Sequence, residues 1–249
     1  MKKMNFSEMK EQVINSVTRY FNRDWNRDDM MNSDEIPDEV HTTLQMVYLC
    51  LFCTMLSSTF GTYLQWLSIA GGKHTVLSYV ANLILLYLTP PERLNTRILI
   101  SMLVAYSFGS SFGFFVSYLF KIEQSYVLRL WAGITIGIGN FFYRAITTTD
   151  RSEIYIGCLQ YCIILMISGI AFILWERHTA LWMITIHTLQ ILFMGYLVIY
   201  SQEILYDANY GDINFVNCTL TVFFHLPGIV IHAARLYLQG VEIEQHEQN

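Results

Sequence analysis

Charged residues are scarce in this chain: Asp, Glu, Lys and Arg together make up 14% of its 249 residues. A soluble globular domain carries about 25%, so the composition does not provide for a water-facing surface. The formal net charge is −5, and the sequence contains no basic tract of the kind that binds nucleic acid. These shortages argue against a soluble enzyme and against a nucleic-acid-binding protein.

The first forty residues lack the early apolar core of a cleavable signal peptide. We therefore expect the first membrane span to act as an uncleaved signal anchor. Residues 5–21 predict a short amphipathic helix, because their apolar side chains recur at spacings of three and four. The predicted organisation is a cytosolic N-terminal segment (1–40), a seven-helix transmembrane domain (41–238) and an acidic C-terminal tail (239–249).

Apolar residues are abundant instead, at 53% of the chain. They form seven runs, approximately residues 44–69, 75–88, 98–120, 125–146, 154–175, 178–201 and 213–238. Most are near the ~20 residues that cross a hydrocarbon core, and none alternates like a barrel strand. The sequence predicts an all-α membrane protein with about seven transmembrane helices. Pro227-Gly228 interrupts the last run, which also carries His225 and His232, so we expect a broken helix surrounded by the others.

The distribution of Lys and Arg predicts the orientation of the spans. If the N-terminus is cytosolic, ten of the 15 Lys and Arg residues fall on the inner side. Inner loops carry the excess of these residues in most membrane proteins. We therefore expect the N-terminus in the cytosol.

Two stretches near the end of the sixth run carry a family resemblance. Residues 195–204 read G-Y-L-V-I-Y-S-Q-E-I, and residues 211–216 read G-D-I-N-F-V. They resemble the signature of the Bax inhibitor family, approximately G-[YF]-x-x-x-D-T-Q-x-I followed by G-D-x-D-Y-[VI]. Pro90-Pro91, Arg97, residues 109–113 and Arg151-Ser152 also resemble family motifs in the expected order, and the resemblance covers about residues 36–235.

This resemblance implies a seven-helix fold with a central last helix, located in the endoplasmic reticulum or related membranes. It also implies suppression of cell death and a pH-dependent calcium leak. The chain departs from the family where the chemistry is concentrated: Tyr200 and His225 stand where the family has two aspartates, and Phe108 stands where many members have a glutamate. Two carboxylates in a low dielectric can share a proton and sense pH, which tyrosine and histidine cannot copy. A bond between Tyr200 and His225 would be either a rewired proton-sensitive latch or a pair that fixes packing.

Other polar residues suggest further sites. Arg97 is expected at the cytosolic mouth of the third span, paired with Glu203 of the sixth loop. Glu203, Asp207 and Asp212 could meet calcium there, although a solvated acidic loop is the commoner case. A metal site built from His187, His225 and His232 has no acidic partner in the same spans, and Gly109-Ser110-Ser111 fits small-residue helix packing better than a serine-protease loop.

The sequence therefore predicts a Bax-inhibitor-like protein of the endoplasmic reticulum or Golgi that modulates calcium content and negatively regulates apoptosis. We expect no enzymatic activity and no resident cofactor, with calcium as the transported ion. The expected partners are the lipid bilayer and apoptosis-regulating membrane proteins. The alternatives are a non-conducting paralogue that acts by partner binding, and a seven-helix receptor.

Overall fold

The computed structural model describes residues 35–120, 123–175, 180–210 and 214–224, all of them in helices or short connections. The helices are α1 (Asp38–Trp66), α2 (Lys73–Leu88), α3 (Leu94–Phe120), α4 (Gln124–Thr147), α5 (Arg151–Trp175), α6 (Ala180–Tyr210) and the described start of α7 (Phe215–Phe224). This confirms the predicted all-α class. The predicted amphipathic helix at 5–21, the break in the last helix and the acidic tail lie outside the described residues.

Four of the described helices are long and apolar enough to cross a membrane, as the membrane prediction requires. The candidate spans are Val40–Trp66, Leu94–Val116, Arg151–Phe172 and Trp182–Leu205. Helix α2 has 16 residues, fewer than the ~20 that span a hydrocarbon core, and α4 carries Arg129 and Arg144. The membrane class is confirmed, and the full count of seven spans stays a prediction.

Two predicted boundaries were wrong. Helix α1 begins at Asp38, well before the predicted start at Leu44, and His41 N donates to Pro37 O at 2.8 Å in its first turn. Acidic residues in that turn suit the positive end of the helix dipole, so polar sequence did not prevent helix formation. Helix α6 continues past the predicted end at Ser201 to Tyr210, which places Glu203 on a helix and not in a loop.

Helix α1 makes hydrogen bonds to four other helices. Ser57 donates to Met102 O of α3 (2.8 Å), Thr59 pairs with Thr135 of α4 (2.8 Å), Tyr48 pairs with Ser201 of α6, and Thr219 of α7 donates to Val47 O (3.3 Å). Polar side chains in a span need partners because lipid offers none. These bonds therefore place α1 inside the bundle.

Glycines allow α1 and α3 to approach closely. A Cβ added at Gly109 would come closer than 3.0 Å to the backbone carbonyl of Ser58, and one added at Gly61 would come equally close to Tyr106 O. Thr62 bridges the same contact by donating to Gly109 O at 3.1 Å. The predicted small-residue face of the third span is thus the surface on which α1 packs.

The described start of α7 buries one face against the other helices, while Asn217 and Phe224 are exposed, and the central position of the last helix stays a prediction. Val216, Thr219, Val222 and Phe223 are buried. The ring of Phe223 lies 5.6 Å from that of Phe108 on α3 and 6.3 Å from that of Trp131 on α4. Leu220 packs on a cluster formed by Leu86 of α2 with Ile100 and Val104 of α3.

Candidate functional site at the polar end of the bundle

The termini of several helices meet at one end of the bundle. There the chain enters α1, α4 passes into α5, and α3 and α7 begin. Ile36 N donates to Thr149 O at 3.1 Å, and Arg97 of α3 donates through Nη2 to Asn217 Oδ1 of α7 at 2.9 Å. We call this region the polar end and define it by His41, Arg97, Arg151, Gln202 and Asn217.

Three consecutive residues of α6 are buried at this end. Tyr200, Ser201 and Gln202 point in three successive directions around the helix, and all three are buried. Ser201 pairs with the fully buried hydroxyl of Tyr48 and donates to Leu197 O at 2.6 Å. The Y-S-Q stretch is therefore part of the core of the bundle.

Tyr200 packs against Tyr196, one helical turn earlier. Their rings are stacked, with centroids 5.9 Å apart and an interplanar angle of 22°. His225, its predicted partner, lies outside the described residues. The proposed latch between Tyr200 and His225 stays a prediction.

A buried arginine joins α5 to α6. Arg151 is 6% exposed, and its Nη1 donates to Gln202 Oε1 at 3.3 Å. Its buried Nε has no hydrogen-bond partner among the residues that the structure describes. Arg151 belongs to the Arg-Ser motif at the start of the fifth span, the one sequence signal that pointed to it, but that motif did not indicate a buried donor to α6.

A second polar contact clamps α1 to the end of α4. His41 Nε2 lies 3.0 Å from Thr148 O, and Gln45 Nε2 donates to Ala145 O at 2.9 Å. Gln45 Nε2 also lies 3.4 Å from His41 Nδ1. No sequence motif indicated this clamp, which depends on residues about one hundred positions apart.

The chain is similar to two curated proteins named Bax inhibitor 1. It is 25% identical to that of Arabidopsis thaliana over 226 residues, covering 88% of this chain and 89% of the relative. It is 25% identical to that of Oryza sativa subsp. japonica over 232 residues, covering 90% of this chain and 91% of the relative. The chain thus resembles Bax inhibitor 1 proteins along about nine-tenths of its length, which supports the family resemblance read from the motifs. No family model matches it, and no solved structure matches at a significant level.

The Bax inhibitor resemblance and the structure meet in α6. Two of the family-like residues of that helix, Ser201 and Gln202, are buried and contact Tyr48 of α1 and Arg151 of α5. These two residues therefore join α6 to neighbouring helices.

His187, which the sequence analysis considered for a metal site and set aside, has ordinary hydrogen-bond partners. His187 Nδ1 lies 2.7 Å from Met183 O, and its Nε2 lies 3.1 Å from Ser168 Oγ. The other two histidines lie outside the described residues, and within the described ranges no group of three or more His, Cys, Asp or Glu could hold a metal ion. The candidate site is thus a hydrogen-bonded junction of helices.

Arg97 has an amide partner, Asn217, where the sequence pointed to Glu203. The pairing with Glu203 stays a prediction, which charge exchange can test. Reversing either charge alone should reduce expression of the folded protein, and reversing both should restore it, because a charge at the edge of a span needs a partner. Independent, additive losses would contradict the pairing.

Proposed function

We propose that this protein is a Bax-inhibitor-like membrane protein of the endoplasmic reticulum or Golgi that modulates calcium content and restrains apoptotic cell death. The proposal is supported by alignments that cover about nine-tenths of the chain, to proteins whose name states inhibition of Bax. The four apolar helices agree with an integral membrane location.

The residue at position 200 determines what we propose for calcium. A tyrosine occupies the position of the family's first aspartate, and it is buried and stacked on Tyr196. A carboxylate pair attracts a cation and loses that attraction on protonation. Neutral Tyr200 and His225 supply no negative charge at pH 7, and a protonated histidine repels a divalent ion.

We therefore expect a weak calcium leak at neutral pH, without the pH response of a carboxylate pair. Liposomes that contain the purified protein and a calcium-sensitive dye measure this leak across pH. The double substitution Tyr200→Asp with His225→Asp should raise the leak several-fold. A single substitution should do less, since a lone buried aspartate becomes protonated.

The controls are Tyr200→Phe and His225→Ala, which introduce no charge. Each protein is checked for helix content and monodispersity before reconstitution, because a buried aspartate at position 200 also tests folding. A strong leak from wild-type protein that neither control variant changes would show that conduction uses other residues, and the role assigned to positions 200 and 225 would be rejected.

A protein that acts by association, without conducting calcium, is the second candidate. It is favoured by the burial of Tyr200, Ser201 and Gln202, of which Ser201 pairs with Tyr48 of α1 and Gln202 accepts from Arg151 of α5. In the liposome assay this candidate predicts no leak from wild-type protein at any pH, together with retained suppression of cell death in cells.

We also propose that the N-terminus faces the cytosol, on the basis of the Lys and Arg distribution. A glycosylation acceptor introduced before Asn5 should stay unmodified in microsomes. Efficient glycan addition at that position would reverse the proposed topology.

A further inference from the structure

Arg144 of α4 extends along the outer surface of α5. Its stem lies over Gly157, where an added Cβ would meet Cγ and Nε of the arginine at 3.0 Å. Its Nη2 donates to Oε1 of Gln160 at 3.1 Å, on an exposed part of the surface. Because Gly157 has no side chain, the stem of Arg144 packs against α5 at this position and its guanidinium reaches Gln160.

This direction leads into the bilayer. Helix α5 starts at the polar end, so Gln160 lies farther from that end than Gly157. Asn140 Nδ2 of α4 donates to Gly157 O at 3.0 Å, which places these two residues at the same depth. The candidate span Arg151–Phe172 has 22 residues, so at 1.5 Å per residue Gln160 lies within about 3 Å of its centre. Arginines near the end of a span usually extend outward to the interface, and Arg144 extends inward.

The surface around this guanidinium is apolar and exposed. Helix α5 is the least buried of the four candidate spans, with 28% of its apolar window inside the structure. Ile156, Leu159, Ile163 and Ile164 are exposed on the same helix. The described partner of Arg144 is a neutral amide, and its Nε is screened from solvent without a hydrogen-bond partner among the described residues.

We propose that the Arg144–Gln160 patch is a docking site for a transmembrane helix of another protein that carries a carboxylate near the middle of the bilayer. A guanidinium surrounded by apolar side chains attracts a carboxylate and keeps it ionised at that depth. A lipid phosphate lies at the membrane surface, some 15–20 Å from the centre, and is too distant. The described spans of a second copy of this chain carry no carboxylate near their middle, because Glu153 and Glu203 lie near the ends of their spans.

The test uses the full-length protein in neutral phosphatidylcholine vesicles and synthetic transmembrane peptides of leucine and alanine. One peptide carries a central glutamate, a second a central glutamine, and a third a glutamate seven residues from the centre. Energy transfer between labelled protein and peptide reports association. Wild-type protein should bind the central-glutamate peptide at least about tenfold more tightly than the other two, a difference of about 1.4 kcal/mol.

Arg144→Gln should abolish this preference. Arg129→Gln is the matched control, since Arg129 lies on the same helix but contacts Met183 Sδ and the ring of Phe172 elsewhere in the bundle; it should keep the preference. Gln160→Leu provides a second variant if Arg144→Gln fails to fold, and it should strengthen the preference by removing the competing amide. The inference does not depend on calcium conduction and can hold if the leak assay fails.

Equal binding of the three peptides would overturn the proposal, and so would an equal loss in the Arg129→Gln control. Loss of the preference when phosphatidylglycerol replaces phosphatidylcholine would show that an anionic headgroup reaches Arg144, and the helix-docking proposal would also be rejected.

Discussion

Replacing Gly109 by alanine is expected to destabilise the protein by about 3 kcal/mol. The new Cβ would come closer than 3.0 Å to backbone atoms of Ser58, and a backbone cannot move aside as the end of a flexible side chain can. Helices α1 and α3 would have to separate, weakening the Thr62–Gly109 hydrogen bond. Unfolding in mixed detergent micelles, followed by circular dichroism, measures the change.

Gly195→Ala is the matched control for this prediction. Gly195 lies within α6 and is exposed, and a Cβ added there would have no atom within 4 Å. Alanine is the better helix former by up to about 1 kcal/mol, so this substitution should be neutral or stabilising. If both glycines tolerate alanine equally, the close approach of α1 and α3 does not contribute to stability.

Replacing Gln202 by leucine should destabilise the protein by about 2–3 kcal/mol, the cost of leaving a charged donor buried without its acceptor. Arg151 is 6% exposed and donates to Gln202 Oε1. The leucine has a similar volume, so loss of packing should contribute little. The same unfolding titration gives the free energy.

A double-mutant cycle separates the contact from other effects of the substitution. Arg151→Met combined with Gln202→Leu removes both the donor and the acceptor, and apolar replacement of a buried polar pair is often nearly neutral. The double variant should therefore be more stable than Gln202→Leu alone. If the two single effects simply add, the hydrogen bond carries no coupling energy.

The ends of the helices were harder to predict than the presence of the helices. The polar start of α1 fell in the predicted N-terminal segment (1–40), because Asp38 and Glu39 lack the apolar signal that indicates a span. In the structure, Pro37 precedes the helix and Asp38 begins its first turn, where the dipole favours an acid. The end of α6 was missed for a related reason: Gln202 and Glu203 lowered local hydropathy, although Ile204 and Leu205 continue the buried surface.

The candidate site was only partly predictable. Tyr200, Arg97 and Glu203 were identified because they fall within or beside motifs with a recognisable order. Arg151 as a buried donor and the His41–Gln45 clamp were not, because each contact joins distant parts of the chain. The partner of Arg97 was missed for the same reason: Asn217 lies 120 residues away and carries no charge that would suggest a pairing.

The sequence by itself determined the class of this protein and its resemblance to known proteins. Long apolar runs with few charges leave only helices as structures that satisfy their own backbone in lipid, and the spaced motifs resemble those of Bax inhibitors. The tertiary structure alone decided which polar side chains meet. Tyr48 with Ser201, Arg151 with Gln202 and Arg144 with Gln160 are pairs set by how helices pack, and packing depends on contacts at close range, such as Gly109 against Ser58, that no local pattern encodes.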